Sequence, residues 1–303
     1  MNDFSVTILG SNSALPAHNR HPSAQIIRIN QSLILMDCGE GTQFRLKKLR
    51  ISPMKIRTIC ISHLHGDHVY GLPGLLTSFI LLRRTEPLVL IGPSGIRDFI
   101  YAVFSSTYTT LPYPLEIIET DTLHFGQVYE TEDFSIFNIP LVHSIPCNGY
   151  LFKSKQGTAN IKKELINEYH LDVEEIKRLK ANTSVRREDH LITPEEVLYM
   201  KNPPVSYAYC SDTAYDNSIC IYIEGIDVLY HESTYMSELA DKARERGHST
   251  SYDAAQIALE AKVGKLLLGH PSSKYASVDS LVEEARLVFP NTEFATEGVT
   301  YIL

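Results

Sequence analysis

The sequence predicts an α/β sandwich: two mixed sheets packed face to face, helices outside, and one inserted helical arm. Three observations predict it. Short apolar runs alternate with helical runs in both halves of the 303-residue chain, in a similar rhythm. Metal-ligand residue types sit where several apolar runs end. One charged stretch, at about 153–204, breaks the rhythm. A single domain over 1–303 carrying that arm is expected.

Phe4 to Leu9, Ala24 to Ile29 and Ser32 to Met36 read as strands, the last two joined at Asn30-Gln31. Thr42 to Leu49 reads as a helix, and Ile56 to Ile61 as a strand buried on both faces. His68 to Arg84 reads as one helix kinked at Pro73. Leu88 to Ile91 is a strand, Pro93-Ser94-Gly95 opens a helix, and Phe134 to Val142 is a strand. Val205 to Cys210, Val228 to His231, Lys265 to Leu268 and Thr292 to Ala295 are the later strands, with a short return through Val299. Helices are expected over Ser233 to Arg246, stopping at Gly247, over Tyr252 to Lys262 after a Thr250 or Ser251 cap, and over Ser277 to Val288.

In the arm, Lys153 to Asp189 holds nine basic and seven acidic residues. Asp172 to Glu175 and Thr193 to Glu196 both have capping-box spacing, and the arm ends at Asn202-Pro203-Pro204.

Composition excludes several classes. No apolar run approaches the ~20 residues that cross a bilayer, and the N-terminus has no signal-peptide pattern. Five cysteines without a CxxC pair read as small buried residues in a reducing, cytoplasmic setting. A net charge of −8 argues against indiscriminate coating of nucleic acid; no DNA partner is expected.

The chemistry lies in Ser62-His63-Leu64-His65-Gly66-Asp67-His68. Imidazole nitrogen and carboxylate oxygen are zinc-type ligands. One ion cannot take four side chains from so short a loop. Two neighbouring ions can: His63 and His65 on one, Asp67 and His68 on the other, with Gly66 allowing a sharp turn. Further ligands must come from other strand exits. His143, Asp212 and His270 stand at three of them.

This HxHxDH loop with later His, Asp and His resembles the metallo-β-lactamase fold superfamily. Asp37-Cys38-Gly39-Glu40-Gly41-Thr42-Gln43, His231-Glu232-Ser233-Thr234, Gly247-His248-Ser249-Thr250 and His270 to Tyr275 resemble, more narrowly, ribonuclease Z, the endonuclease that trims the 3′ trailer of precursor tRNA. The resemblance covers nearly the whole chain outside the arm and implies a four-layer αβ/βα sandwich. It implies two Zn2+ per subunit, with Mn2+ or another divalent ion as the alternative: His63, His65 and His143 on one, Asp67, His68 and His270 on the other, and Asp212 bridging. It further implies Asp67 as proton acceptor, His248 as proton donor polarised by Glu232, and Asp37 and His231 behind the ligands. Ser249, Thr250, Ser272, Ser273 and Lys274 would meet phosphate. The implied partners are precursor tRNA and a second copy of the chain, with no membrane.

Two departures stand against the family pattern. His270-Pro271-Ser272-Ser273-Lys274-Tyr275 replaces His-Phe-Ser-x-Arg-Tyr, so a point charge replaces a bidentate fork. The arm has only Gly157 and no Gly-Pro tip; Lys162, Lys163, Lys177, Arg178, Lys180, Arg186 and Arg187 are its candidate RNA contacts. The alternatives are a same-fold hydrolase of a small phosphodiester or of a sulfate or carboxylic ester, and a non-catalytic RNA-binding relative. The intact ligand set argues against the last.

Overall fold

A computed structural model describes residues 4–155, 159–187, 190–199 and 203–303. Gly157, Asp189, Met200 and Asn202 of the arm therefore lie outside the described residues.

β1 (Phe4–Gly10) points Phe4, Val6 and Ile8 into the space between the sheets. β2 (Ala24–Ile29) and β3 (Ser32–Met36) form the expected hairpin, with Asn30 at φ 53°, a conformation asparagine tolerates. α1 (Thr42–Lys48) and β4 (Ile56–Cys60) follow. The expected kinked helix is instead two helices, α2 (Gly66–Val69) and α3 (Leu72–Leu81). Pro73 stands in the first turn of α3, where its missing N–H forfeits no helical bond. Gly66 is likewise no left-handed turn: it opens α2, and a Cβ there would lie 2.3 Å from the Tyr70 ring. β5 (Leu88–Pro93), α4 (Ile96–Ser106), β6 (Leu115–Thr120), β7 (Gly126–Glu130), β8 (Phe134–Leu141) and β9 (Cys147–Ser154) complete the first half.

The arm is not purely helical. β10 (Asn160–Ile161), α5 (Lys163–Glu168), α6 (Val173–Lys180), β11 (Val185–Arg186), β12 (Leu191–Ile192), α7 (Pro194–Val197) and β13 (Leu198–Tyr199) form it. Two small ladders, β10 with β13 and β11 with β12, join its helices around a separate cluster of Ile161, Leu171, Leu179, Val185, Ile192 and Val197. Asp172 and Glu175 close a reciprocal capping box on α6, whereas Thr193 makes no side-chain cap on α7.

β14 (Ser206–Cys210), β15 (Val228–Glu232), α8 (Ala240–Glu245), α9 (Ser251–Glu260), β16 (Lys265–Gly269), α10 (Asp279–Arg286), β17 (Thr292–Phe294) and β18 (Thr300–Ile302) close the chain. α8 starts later than Ser233, because Ser233 and Thr234 are buried and bonded to Gly269 and Glu232.

One sheet has the order β18-β1-β2-β3-β4-β5-β6, and the other β17-β16-β15-β14-β9-β8-β7. Apolar side chains from both sheets meet between them; α1, α3 and α4 cover one outer face, α9 and α10 the other. This is the four-layer metallo-β-lactamase architecture. Within it, β3 and β4 run parallel, as do β14, β15 and β16. Loops leaving these strands gather at one rim, the usual place for a site in an open parallel sheet. The five cysteines are unbridged, and Cys38, Cys60, Cys147 and Cys210 are buried.

Candidate metal centre

Six strand exits deliver the site. Asp37 follows β3, His63 to His68 follow β4, His143 follows β8, Asp212 follows β14, Glu232 ends β15 and His270 follows β16. Two sets of donor atoms result, each lying within 4.8 Å of one another: His63, His65, His143 and Asp212, and Asp67, His68, Asp212 and His270.

Asp212 belongs to both sets through different oxygens. Its Oδ2 lies 3.7 Å from His63 Nε2 and 3.9 Å from His143 Nε2. Its Oδ1 lies 3.4 Å from His68 Nε2 and 3.2 Å from His270 Nε2. Asp67 Oδ2 stands 3.3 Å from each of the same two nitrogens. His65 turns Nδ1 inward, 3.1 Å from His63 Nε2 and 3.2 Å from His143 Nε2.

The tautomers are set from behind. The buried carboxylate of Asp37 accepts bonds from the Ser62 amide (2.7 Å), Ser62 hydroxyl (2.9 Å), Tyr209 hydroxyl (2.8 Å) and His68 Nδ1 (2.7 Å). His63 Nδ1 faces Ser62 Oγ at 3.0 Å, His143 Nδ1 faces the Gly247 carbonyl at 2.8 Å, and His270 Nδ1 faces Thr234 Oγ1 at 3.1 Å. With each Nδ1 donating outward, four Nε2 lone pairs converge on the Asp212 oxygens, the pattern of imidazoles prepared for a cation. Gly247 holds φ 69°, which turns its carbonyl toward His143; a Cβ there would approach His143 Nδ1 at 3.1 Å.

The donor set fits divalent ions on two further counts. Ligands ~2.0–2.1 Å from one tetrahedral zinc stand ~3.3–3.4 Å apart, the scale of these separations. The electrostatics also call for positive charge. Burial pushes the Asp67 and Asp212 carboxyls up, but neighbouring imidazoles outweigh it and hold both well below the usual range. Burial lowers His63 and His65, which stay neutral. Burial would lower His68 too, yet Asp212, Asp67 and Asp37 together raise it well above an ordinary imidazole.

Beside the two sets lies a proton pair. Glu232, fully buried, bonds His248 Nδ1 at 2.8 Å and accepts from the amides of Thr213 (2.8 Å) and Thr234 (3.2 Å) and from the Thr234 hydroxyl. The His248 ring sits 5.2 Å from that of His143 and 5.7 Å from that of His270, so it leans over both sets. Glu232, His248 and His270 are close enough to form a third group of donors. The carboxylate is already satisfied and His270 Nε2 faces Asp212, so the pair suits proton transfer rather than a third ion.

Comparison with known proteins decides the family. Ribonuclease Z of Parabacteroides distasonis is 39% identical over 300 residues, covering 99% of each chain. The chain belongs to the ribonuclease Z family. The structure of human tRNase Z, short form, aligns over 98% of each chain with TM-score 0.70 and 25% identity. The metallo-β-lactamase fold protein YhfI of Bacillus subtilis, at 19% identity and TM-score 0.71 over 99% of each chain, shares the fold. A family model described as Anti-Pycsar protein Apyc1 matches residues 4–149, which include Asp37, the His63–His68 loop and His143.

Several residues expected to meet substrate in this ribonuclease Z relative do not face it. Ser249 is buried, and its hydroxyl donates to the Thr213 carbonyl at 2.7 Å. Thr250 is buried in a capping box with Asp253 at the start of α9. In the GHST word the Ser249 hydroxyl is taken by a loop carbonyl and the Thr250 hydroxyl by the helix. Ser272 and Ser273 are half-buried, while Lys274 is exposed with its Nζ 4.4 Å from the Tyr275 ring centroid. His231 touches no clustered donor; its Nδ1 bonds the Glu232 carbonyl at 2.8 Å, and burial holds its pKa down.

Sequence reasoning missed Ser62, Thr234 and Tyr209, which hold the tautomers. His21, which stands in no ligand pattern, has its Nδ1 2.8 Å from Glu297, a residue that Arg45 joins at 3.3 Å. Hydroxyls are too common to stand out without coordinates. In the arm, Lys162 bonds the Glu196 carbonyl, Lys177 pairs with Glu174 and Arg187 with Glu175. Lys163, Arg178, Lys180 and Arg186 are exposed and make no ion pair among the described residues.

Proposed function

We propose that the chain is a two-zinc endoribonuclease that removes the 3′ trailer of precursor tRNA and leaves a 3′-hydroxyl on the tRNA. The observation that carries the reading is Asp212, with one oxygen against each set of imidazoles. Membership of the ribonuclease Z family supports it.

His63, His65 and His143 would hold one ion, Asp67, His68 and His270 the other, and Asp212 both. Two such ions polarise a phosphodiester and make water acidic enough to attack at neutral pH. Asp67 takes the proton from the attacking water. His248, kept protonated by Glu232, gives a proton to the 3′ oxygen as the P–O bond breaks. Asp37 holds His68 in register, and Thr234 links Glu232 to His270. The unpaired cations of the arm, Lys163, Arg178, Lys180 and Arg186, approach RNA phosphates. Work on tRNA, together with four buried free thiols, suits a cytoplasmic enzyme.

A homodimer suits the outer helices. An apolar groove of about 520 Å³ between α1 and α3 is floored by Leu46, Ile51 and Leu75, with Leu81 and Leu82 on its rim. Phe44 and Leu81 are 80% and 79% exposed on the two helices. Light scattering that finds only monomer would remove this assignment.

The test is cleavage of a tRNA transcript bearing a 3′ trailer by metal-replete protein, with His65→Ala losing activity but keeping the fold. A second reading, hydrolysis of a small phosphodiester or a sulfate ester, is favoured by the missing Gly-Pro tip of the arm. Bis(p-nitrophenyl) phosphate serves both readings. Turnover of that compound with no cut in any trailer-bearing tRNA would decide for the second.

A further inference from the structure

The chain carries net charge −8, yet residues 41–66 contain six lysines and arginines and no acidic residue. This run begins at the site rim, where Gly39 packs so closely that a Cβ would lie 2.4 Å from the Asp67 carbonyl. It continues through α1 and the short 3-10 turn Pro53–Lys55. Two of its cations are neutralised, Arg45 by Glu297 at 3.3 Å and Arg57 by Glu86 at 3.1 Å. Lys47, Lys48, Arg50 and Lys55 make no ion pair among the described residues.

Beyond α1 lies the outer face of the β18-β1-β2 edge. A groove of about 370 Å³ lies there, and its lining contains three cations, Arg28, Arg50 and Lys55, and no carboxylate. Its floor is hydroxyl-bearing: Ser5 and Thr7 alternate outward from β1, and Thr7 Oγ1 meets Thr300 Oγ1 at 2.9 Å. Arg28 is the one exposed residue of β2 and lies opposite Ser5. Arg50, at φ 57°, ends α1 and turns the chain so that Arg50 and Lys55 border the same groove. On the flank of α1 a second groove, of about 700 Å³, is lined by His18, His21, Arg45 and Lys48. α1 leaves the site rim at Gly41 and rises roughly 10 Å over its seven residues toward Leu49 and Arg50, which line the Arg28 groove.

We infer that the groove of Arg28, Arg50 and Lys55 binds the phosphate backbone of the RNA substrate at a distance from the cleavage site. This inference rests on the tRNA reading above. Unpaired guanidinium and ammonium groups over a floor of neutral donors are the chemistry that phosphate oxygens select, and they carry no base recognition. In an acidic chain such a carboxylate-free lining attracts a polyanion locally while the rest of the surface repels it. Its continuity with the site favours the molecule being cut over an unrelated anion.

The experiment compares wild type with R28A/R50A/K55A. A charge-matched control removes Arg244, Lys262 and Lys265, which are ion-paired with Asp241, Glu224 and Glu293. Expected for the groove variant is a rise of roughly tenfold or more in KM for trailer-bearing tRNA, and a log–log salt slope shallower by about 2–3. Turnover of bis(p-nitrophenyl) phosphate and melting temperature stay unchanged, and the control moves neither KM nor slope. Unchanged RNA kinetics in the groove variant, or an equal shift in the control, overturns the inference alone. A wild-type enzyme that cuts no trailer-bearing tRNA overturns it together with the tRNA reading.

Discussion

His248 is the residue whose behaviour is most open to measurement. Burial alone favours its neutral form, but the Glu232 charge and hydrogen bond, with help from Asp212 and Asp67, raise it to about 9. Cations on Asp212 and Asp67 would cancel their share, while Glu232 remains. The working value therefore falls between the ordinary 6.5 and about 9. A proton donor must carry its proton, so kcat/KM should decline with rising pH through that interval. Glu232→Gln should move the decline to lower pH. His248→Ala should lower kcat by about 10²–10⁴ and abolish the alkaline limb; a limb that persists in this variant would show that another group donates. The sign holds for stability as well. The folded value is raised, so the pair stabilises fully below 6.5, and the gain is lost as pH climbs through about 9. The clustering of the donors in the two sets was legible in sequence, because imidazoles and carboxylates at strand exits are uncommon enough to point at one another. The Thr250 cap was legible from its place ahead of α9, but Ser249 was not: its hydroxyl serves a loop carbonyl as readily as a phosphate, and only packing decides which.

Elements whose period matched one environment were legible. β2 and β3 were read to their end residues, and Asp172 announced α6 by its capping box. β6, β7 and β9 were not. β6 sets two adjacent isoleucines between glutamates and so breaks the period of two, β7 is a short edge strand, and β9 opens Cys-Asn-Gly before its apolar residues. The arm shows how far pattern reaches. Its helices were visible, but its two-residue ladders are too short to carry any period. Six buried apolar side chains, each contributing roughly 1.5–3 kcal/mol, are a small core for a segment of this length. The arm should accordingly open more readily than the sandwich. Leu179 is fully buried at its centre. Leu179→Ala should cost about 2–4 kcal/mol, spent locally. Hydrogen exchange should quicken across α6, β11 and β12 but not in β14 to β16. KM for tRNA should rise while turnover of a small diester holds. Slower turnover of both substrates would place the arm in the catalytic scaffold instead of in recognition.

At the scale of the whole molecule, the site is where the two sheets are tied together. Asp37 and the His63–His68 loop leave one sheet; His143, Asp212 and His270 leave the other. Each donor set therefore spans the sandwich at its open rim, whereas the rest of the inter-sheet contact is apolar packing. Ions bound there close a link that the apolar core does not supply, and an ion that binds only the folded chain stabilises it by mass action. At a free concentration about 100 times Kd the gain is ~2.7 kcal/mol, which for a chain of this size corresponds to roughly 4 °C in Tm. Stripping with a chelator should lower Tm by that order, and added zinc should restore it. Asp212→Ala removes the carboxylate shared by both sets, so its Tm should start low and respond little to chelator or zinc. A wild-type Tm indifferent to chelation, in protein shown to have lost its metal, would mean that the rim is held by the bonds of Asp37, Glu232 and Thr234 alone. Metal would then be a catalytic guest there, with no part in joining the sheets.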